Sequence, residues 1–443
     1  MLLSAHKPHH VTIMGLGDSI TEGGAAFTSY VYPLWEMLMQ EGYTQCEMIG
    51  PRMSQCRIGT INHCGFSGKN VEFLNARLDS IYRTYPADIV LLHSGHNHFA
   101  SEHPVPHMMT CYRQMEKTIH RINPKAVIII AKVILSGKLP KYSYLPELND
   151  SIGHWVATMH SKRLLLCDMT AGWDWRSMTI SDHVHPNPIG ARLMASRWME
   201  QLRKVLKKET DVGDVSQCVY KTTPKARPLT LSIYRPATNS SEKRPCILYF
   251  FAGGWQQGTP LQFVRECSHY RKKGYVAISA DYSIAQLDAS SPRDAYRDVT
   301  DAWGWVSAHA DSLGIDKNNI SLAGSSAGAT MALAISLDKQ VEDKPTRLLL
   351  GYPVLSKVNA SFFGLKKEQL SSRLTVPALL VFGDRDPMID LAAISAFCQR
   401  QKEAAALDIN LKIFKGCGHP VFHYRNLERK IYRRYIKVCD KFI

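Results

Sequence analysis

No apolar run in the 443 residues approaches the roughly 18 consecutive positions that a membrane-crossing helix needs. The longest candidates, such as Ala126 to Val133, are strand-sized and run into polar residues. No Cys-x-x-Cys pair suggests a zinc site, and the 11 cysteines, odd in number and scattered, fit reduced thiols better than a disulfide framework. The start, Met1-Leu2-Leu3-Ser4-Ala5-His6-Lys7-Pro8, has no basic head followed by a long apolar stretch, so no export signal is expected within it. A cytoplasmic setting is then the default, and a secreted or periplasmic one requires a native start lying upstream. No repeat of fixed period stands out. With 45% hydrophobic and 21% charged residues, disorder is not indicated.

Charge is unbalanced toward the basic side, at a formal +15. Much of the excess sits in two helix-like tails, Arg203 to Lys208 and Arg425 to Lys441. No nucleic-acid motif or aromatic interleaving accompanies them, so they read as solvated faces of terminal helices. Weak attraction for acidic polysaccharides is the other reading. Neither a nucleic-acid nor a membrane partner is expected.

Four hundred and forty-three residues exceed what one core usually serves, which implies two domains of roughly 200 residues. Short β-branched runs alternate with helix-sized amphipathic segments throughout, the pattern of parallel sheets covered by helices. Strands are predicted at Val11–Met14, Ile89–His93, Val127–Val133 and Leu164–Cys167, then at Leu229–Tyr234, Cys246–Phe251, Val276–Ala280, Ile320–Leu322, Leu348–Tyr352, Ala378–Phe382 and Leu411–Phe414. Helices are predicted at Tyr30–Gln40, Val105–Ile122, Pro188–Lys207, Pro292–Ala310, Ala327–Leu337, Leu391–Ala405 and Val421–Asp440. The polar stretch Glu209 to Asp214 marks the break, giving domains at 1–208 and 222–443 with a linker at 209–221.

In the first half, the strand ending Met14-Gly15 delivers Gly17-Asp18-Ser19-Ile20-Thr21 to the carboxyl edge of a sheet, where open α/β folds place their ligands. Three further blocks lie downstream: Gly65-Phe66-Ser67-Gly68, Gly95-His96-Asn97-His98 and Asp182-His183-Val184-His185-Pro186. A serine hydroxyl is a poor nucleophile until a base takes its proton, so a histidine is needed beside Ser19, and Asp182 in the same loop suits the Nδ1 side of His185. Together these blocks resemble the SGNH (GDSL) hydrolase family, with Ile20 where the name-giving Leu would be. The resemblance implies a flavodoxin-like three-layer domain with Ser19, Asp182 and His185 as the triad. It also implies an oxyanion hole made by the backbone N–H groups of Ser19 and Gly68 and the side-chain amide of Asn97. His98 stands where the family usually carries Asp. His96, His98 and His183 cluster in sequence, which alone does not make a metal site.

In the second half, Asn318 to Ala323 reads as a strand feeding Gly324-Ser325-Ser326-Ala327-Gly328 and then an alanine-rich helix. A Gly-x-Ser-x-Gly elbow needs this context, because small neighbours let the serine take a strained backbone. Upstream lies Tyr249-Phe250-Phe251-Ala252-Gly253-Gly254-Trp255; downstream lie Gly383-Asp384-Arg385-Asp386-Pro387 and Gly416-Cys417-Gly418-His419. This set resembles the α/β-hydrolase carbohydrate esterases of the acetyl xylan and feruloyl esterase kind, with Ala252 where many relatives carry His. The resemblance implies an α/β-hydrolase domain with Ser326, Asp386 and His419 as the triad, Asp384 being the fallback acid. It implies the backbone N–H groups of Gly254 and Ala327 as the oxyanion hole. Trp255 either lines the sugar side of the pocket or serves packing.

The expected function is a two-domain carbohydrate esterase that removes small acyl groups, acetate first, from a decorated polysaccharide or oligosaccharide such as xylan, with no cofactor and no metal. Hydrolysis of small soluble esters or thioesters is the alternative. A third reading makes one domain a non-catalytic binding module.

Overall fold

The computed structural model describes residues 10–207, 214–237, 242–405, 407–419 and 429–443. The chain divides into two compact units near residue 209. In the first unit the order is β1 (Val11–Gly17), α1 (Ser19–Glu22), α2 (Val31–Gln40), β2 (Cys46–Met48), β3 (Arg52–Cys56), β4 (Gly59–Gly65), α3 (Val71–Thr84), β5 (Ile89–His93), α4 (Val105–Ile122), β6 (Val127–Lys132), α5 (Leu145–Met159), β7 (Leu164–Asp168), α6 (Trp175–Met178) and α7 (Pro188–Val205). The sheet runs β3-β4-β1-β5-β6-β7, with β2 also beside β1. The β1 ladders to β2, β4 and β5, and those joining β5, β6 and β7, are parallel.

Two-sided burial explains why the middle strands read as unbroken apolar runs: all five residues of β5 are buried. Met14, Leu16, Val90 and Leu92 join a core with Leu74 and Leu78 of α3, Met108 and Tyr112 of α4, and Leu148 and Ile152 of α5. The alternate face meets α2, since a Cβ at Gly15 would touch Val31 at 3.4 Å. There Tyr30, just ahead of α2, packs on Trp198 of α7 with ring centroids 5.8 Å apart. The unit is therefore three-layered.

The second unit runs through β8 (Val215–Thr222), β9 (Pro228–Tyr234), β10 (Arg244–Phe250), α8 (Val264–Lys272), β11 (Val276–Ala280), α9 (Ala285–Asp288), α10 (Pro292–Ala308), β12 (Ile315–Ser325), α11 (Ala327–Leu337), β13 (Arg347–Gly351), β14 (Ala378–Gly383), α12 (Leu391–Ala405), β15 (Ile409–Phe414) and α13 (Arg429–Phe442). Its eight-stranded sheet runs β15-β14-β13-β12-β10-β11-β9-β8. It is parallel from β15 to β11, but β9 and β8 are antiparallel. A purely parallel sheet is thus corrected at one edge, where a hairpin supplies the last two strands. Helix α11 is buried on every side, as its Ala-Gly-Ala-Thr-Met-Ala-Leu-Ala sequence demands of a helix with no polar face.

Residues 215–221, expected as linker, belong to β8; an edge strand with Val215 and Val219 exposed has too little apolar character to announce itself. Residues 209–213 of that linker, and 421–428 of the last expected helix, lie outside the described residues.

Candidate active sites

At the end of β1 the chain turns into the one-turn helix α1, capped by Asp18, whose Oδ1 accepts from the Ile20 N–H at 3.0 Å. Ser19 comes next, its hydroxyl held at the mouth of the sheet. Its Oγ lies 2.8 Å from Nε2 of His185, and Nδ1 of His185 lies 2.5 Å from Asp182 Oδ2. The other carboxylate oxygen of Asp182 accepts from the N–H groups of Val184 and His185 at 2.9 and 3.0 Å. Burial pushes the Asp182 carboxyl up, but the ring and backbone hydrogen bonds outweigh it and hold the group below its ordinary value, so it stays a carboxylate. Beneath Ser19, burial raises Asp18 to about 6 against the opposing Ile20 N–H and the nearby His185.

The loop carrying the base is anchored at the start of α7. Asn187 caps that helix, accepting from Ile189 and Gly190 at 2.9 and 3.0 Å, while its amide donates to the Ser177 carbonyl at 2.8 Å.

Gly68 and Asn97 both adopt left-handed backbone, with φ of 70° and 71°. A Cβ at Gly68 would meet nothing within 4 Å, so its peptide borders open space. One N–H of the Asn97 amide is engaged by the Lys69 carbonyl at 3.0 Å, which orients the group and leaves its second N–H available. His98, in the position of the family's Asp, is clamped between Glu72 and Glu102 at 2.9 and 3.0 Å.

Sequence reasoning missed two residues of this site. Phe27 stacks on His185, with ring centroids 4.1 Å apart. Glu22, whose carboxylate accepts from Ser67 N–H at 2.6 Å and pairs with Arg52, braces the turn that presents Gly68. Phe27 sits in a Gly-Gly-Ala-Ala-Phe loop with no periodicity to mark it; Glu22 lies only three residues beyond the nucleophile, and that proximity is a usable signal.

In the second unit β12 delivers Ser326 into α11 with φ 48° and ψ −116°, the sharp backbone expected of the elbow. Close approach explains the glycines: a Cβ at Gly328 would stand 2.1 Å from the Phe250 carbonyl oxygen of β10. Ser326 Oγ is 2.8 Å from His419 Nε2, and His419 Nδ1 is 2.6 Å from Asp386 Oδ2. Asp384 instead accepts from Gly416 N–H at 2.6 Å, tying together the two turns that carry the acid and the base. Of the two candidate acids, the structure thus sets Asp386 on the imidazole.

Gly254 takes φ 61° and a Cβ there would meet nothing within 4 Å, and Ala327 is the first residue of α11, where an N–H has no partner within the helix. Ala252, which replaces the family's His, is bracketed by Gln262: its N–H donates to Oε1 at 2.9 Å and its carbonyl accepts from Nε2 at 3.0 Å. No sequence signal marks that brace, because Gln262 lies ten residues downstream. Trp255 has φ 62°, is 8% exposed and meets Phe362 edge-on at 5.0 Å, which favours the packing role over a broad sugar platform. Tyr352 meets the His419 ring at 4.7 Å.

Each unit can therefore carry out nucleophilic acyl transfer, with a hydroxyl on a base and that base on a carboxylate.

Comparison with known proteins agrees with this division. Residues 16–193 match the GDSL-like Lipase/Acylhydrolase family model, and residues 231–367 match the BD-FAE model. Among curated proteins, the chain is similar to a multidomain esterase of Ruminococcus flavefaciens, 25% identical over 229 residues, 44% of this chain and 29% of that protein. It is also similar to esterase LipI of Mycobacterium tuberculosis, 29% identical over 178 residues, 39% of this chain and 49% of that protein. The chain thus spans about half or less of the length of these two relatives. A solved thermophilic esterase of Thermogutta terrifontis shares 26% identity, with coverage of 53% of this chain and 91% of the other and a TM-score of 0.47. The chain carries a GDSL-like lipase/acylhydrolase domain followed by a BD-FAE domain of the α/β-hydrolase fold.

Proposed function

We propose that this chain is a two-site serine esterase of the carbohydrate esterase type, which deacetylates decorated polysaccharides such as xylan through an acyl-enzyme in each unit. The observation that carries the reading is the duplicated relay: two serine hydroxyls, each 2.8 Å from an imidazole whose far nitrogen rests on a carboxylate. His185 and His419 take the serine proton as the ester carbonyl is attacked, and return it to the departing sugar hydroxyl. Asp182 and Asp386 hold each ring with Nε2 toward the serine and stabilise the imidazolium. Charge on the tetrahedral oxygen meets the N–H groups of Ser19, Gly68 and Asn97 in one unit, and of Gly254 and Ala327 in the other. Water then repeats the sequence on the acyl-enzyme. The multidomain esterase of Ruminococcus flavefaciens supports the tandem arrangement, and the likeness of the second unit's motifs to acetyl xylan and feruloyl esterases favours a polysaccharide ester. Two sites on one chain also raise the local concentration of one site's product near the other.

The test is acetate release from acetylated xylan set against release from a short-chain aryl ester, in wild type, Ser19→Ala, Ser326→Ala and the double variant. Each single variant should lose its own site's share, with turnover there reduced about 10⁶-fold. Polymer activity no greater than background, with the aryl ester still cleaved, would move the substrate to small soluble esters. An unchanged total in either single variant would make that unit a binding module.

A further inference from the structure

Away from both serines, the first turn of α3 and the N-terminal half of α4 bring Glu72, His107 and Cys111 together, with one ligand atom of each within 4.8 Å of the other two. His107 and Cys111 stand four residues apart on α4 and so share a face of the helix. Glu72 meets them from α3, its Oε1 3.7 Å from His107 Nε2. Cys111 is 3% exposed, so a buried thiol stands in the cluster beside Glu72 and His107. The second Glu72 oxygen is already fixed: it accepts from His98 Nε2 at 2.9 Å, while His98 Nδ1 donates to Glu102 at 3.0 Å. Both ring nitrogens are thus engaged by carboxylate oxygens, which fixes the His98 ring and orients Glu72.

The geometry points to a binding site for one borderline divalent ion of the zinc class, held by a Glu72 carboxylate oxygen, the His107 imidazole and the Cys111 thiolate, with water in the fourth position. Nitrogen, sulfur and oxygen donors in this mixture suit zinc better than calcium or magnesium, which select oxygen alone. Tetrahedral zinc sets its ligand atoms about 3.3–3.8 Å apart. The cluster therefore closes on the ion with side-chain shifts of about an ångström. Charge balances at the ion as well, since the divalent ion meets one thiolate and one carboxylate. On binding, the Cys111 proton leaves for solvent and a sulfur–metal bond forms in its place, so affinity rises with pH. The hydrogen bond from His98 to Glu72 is the kind of outer-shell support that metal-ligating carboxylates carry elsewhere. Because His98 directly follows Asn97, the ion also ties α3 and α4 to the segment that bears the expected oxyanion donor.

The full chain, stripped with a chelator, given ZnCl₂ and passed over a gel-filtration column, should retain one zinc per chain. With Co²⁺ it should show a thiolate-to-metal charge-transfer band in the near ultraviolet. Cys111→Ser should lose the band and the retained zinc. So should His107→Asn, at a side chain 69% exposed where folding is not at stake. Cys218→Ser, in the other unit, should keep both. A wild-type chain that retains no zinc overturns the proposal, as does unchanged retention and an unchanged band in both Cys111→Ser and His107→Asn.

Discussion

In the first unit the base and its acid share one loop, Asp182 and His185 standing three residues apart; in the second, Asp386 and His419 are 33 residues apart, on turns that follow different strands. The nucleophiles differ in the same sense. Ser19 opens a short helix behind an Asp cap and is absent from the left-handed region, whereas Ser326 sits at φ 48° between β12 and α11. Anion binding differs too, with a side-chain amide, Asn97, expected in one unit and backbone N–H groups alone in the other. One acyl-transfer geometry is thus reached by local loop conformation in one unit and by sheet register in the other. In the second, the parallel ladder between β14 and β15, which pairs Gly383 with Phe414, sets acid and base side by side.

Removing the orienting carboxylates should break the two relays equally despite this difference. Asp182→Asn and Asp386→Asn should each cost about 10⁴ in kcat at their own site, measured with the other serine replaced by alanine. A much smaller loss for Asp386→Asn, with a large one for Asp384→Asn, would return the acid's role to Asp384. Next in size is the amide: Asn97→Ala should lower kcat of the first site about 10²–10³-fold with KM little changed, and no side-chain truncation outside the triad should do the same in the second.

Backbone conformation separates the sites on a smaller scale. Ser326→Gly relieves the strain of a left-handed φ, and should stabilise the second unit by about 1 kcal/mol in denaturant unfolding while abolishing its activity; Ser19→Gly should bring no such gain. The remaining contrast is in pH dependence. Glu266 of α8 is buried, and desolvation raises its carboxyl to about 7. The folded unit therefore holds this proton more tightly than the unfolded chain, so stability falls as pH rises from about 4.5, the ordinary value, to about 7. Glu266→Gln should flatten the curve of Tm against pH over that window. A curve unchanged in the variant would show that Glu266 is ionised in the fold.

Legibility in the chain divides along the same local and long-range line. Strands buried on both faces, such as Ile89–His93 and Val276–Ala280, and helices such as Val105–Ile122 and Ala327–Leu337, end where apolar periodicity ends. Strand β4 is hidden because Asn62 and His63 interrupt its apolar run, although both are buried. Helices α3 and α5 and edge strand β8 likewise escape sequence reading, the last because one-sided exposure dilutes its pattern. Motif residues carry their chemistry in their identity, so Ser19, Asp182, His185, Ser326 and His419 can be named from spacing and family likeness. Residues that act by touching those side chains cannot: Phe27 on His185, Gln262 around Ala252 and Tyr352 on His419 owe their place to the tertiary fold. Asp384 and Asp386 lie too close in sequence to be separated without the hydrogen bonds that each makes.

The central claim, two independently activated serines on one chain, is tested most directly by treating the intact protein with a fluorophosphonate and locating the adducts by mass spectrometry. The account predicts one adduct on Ser19 and one on Ser326, each lost when its own histidine, His185 or His419, is replaced by alanine. A folded chain labelled at neither serine, or at both regardless of the histidines, would contradict it.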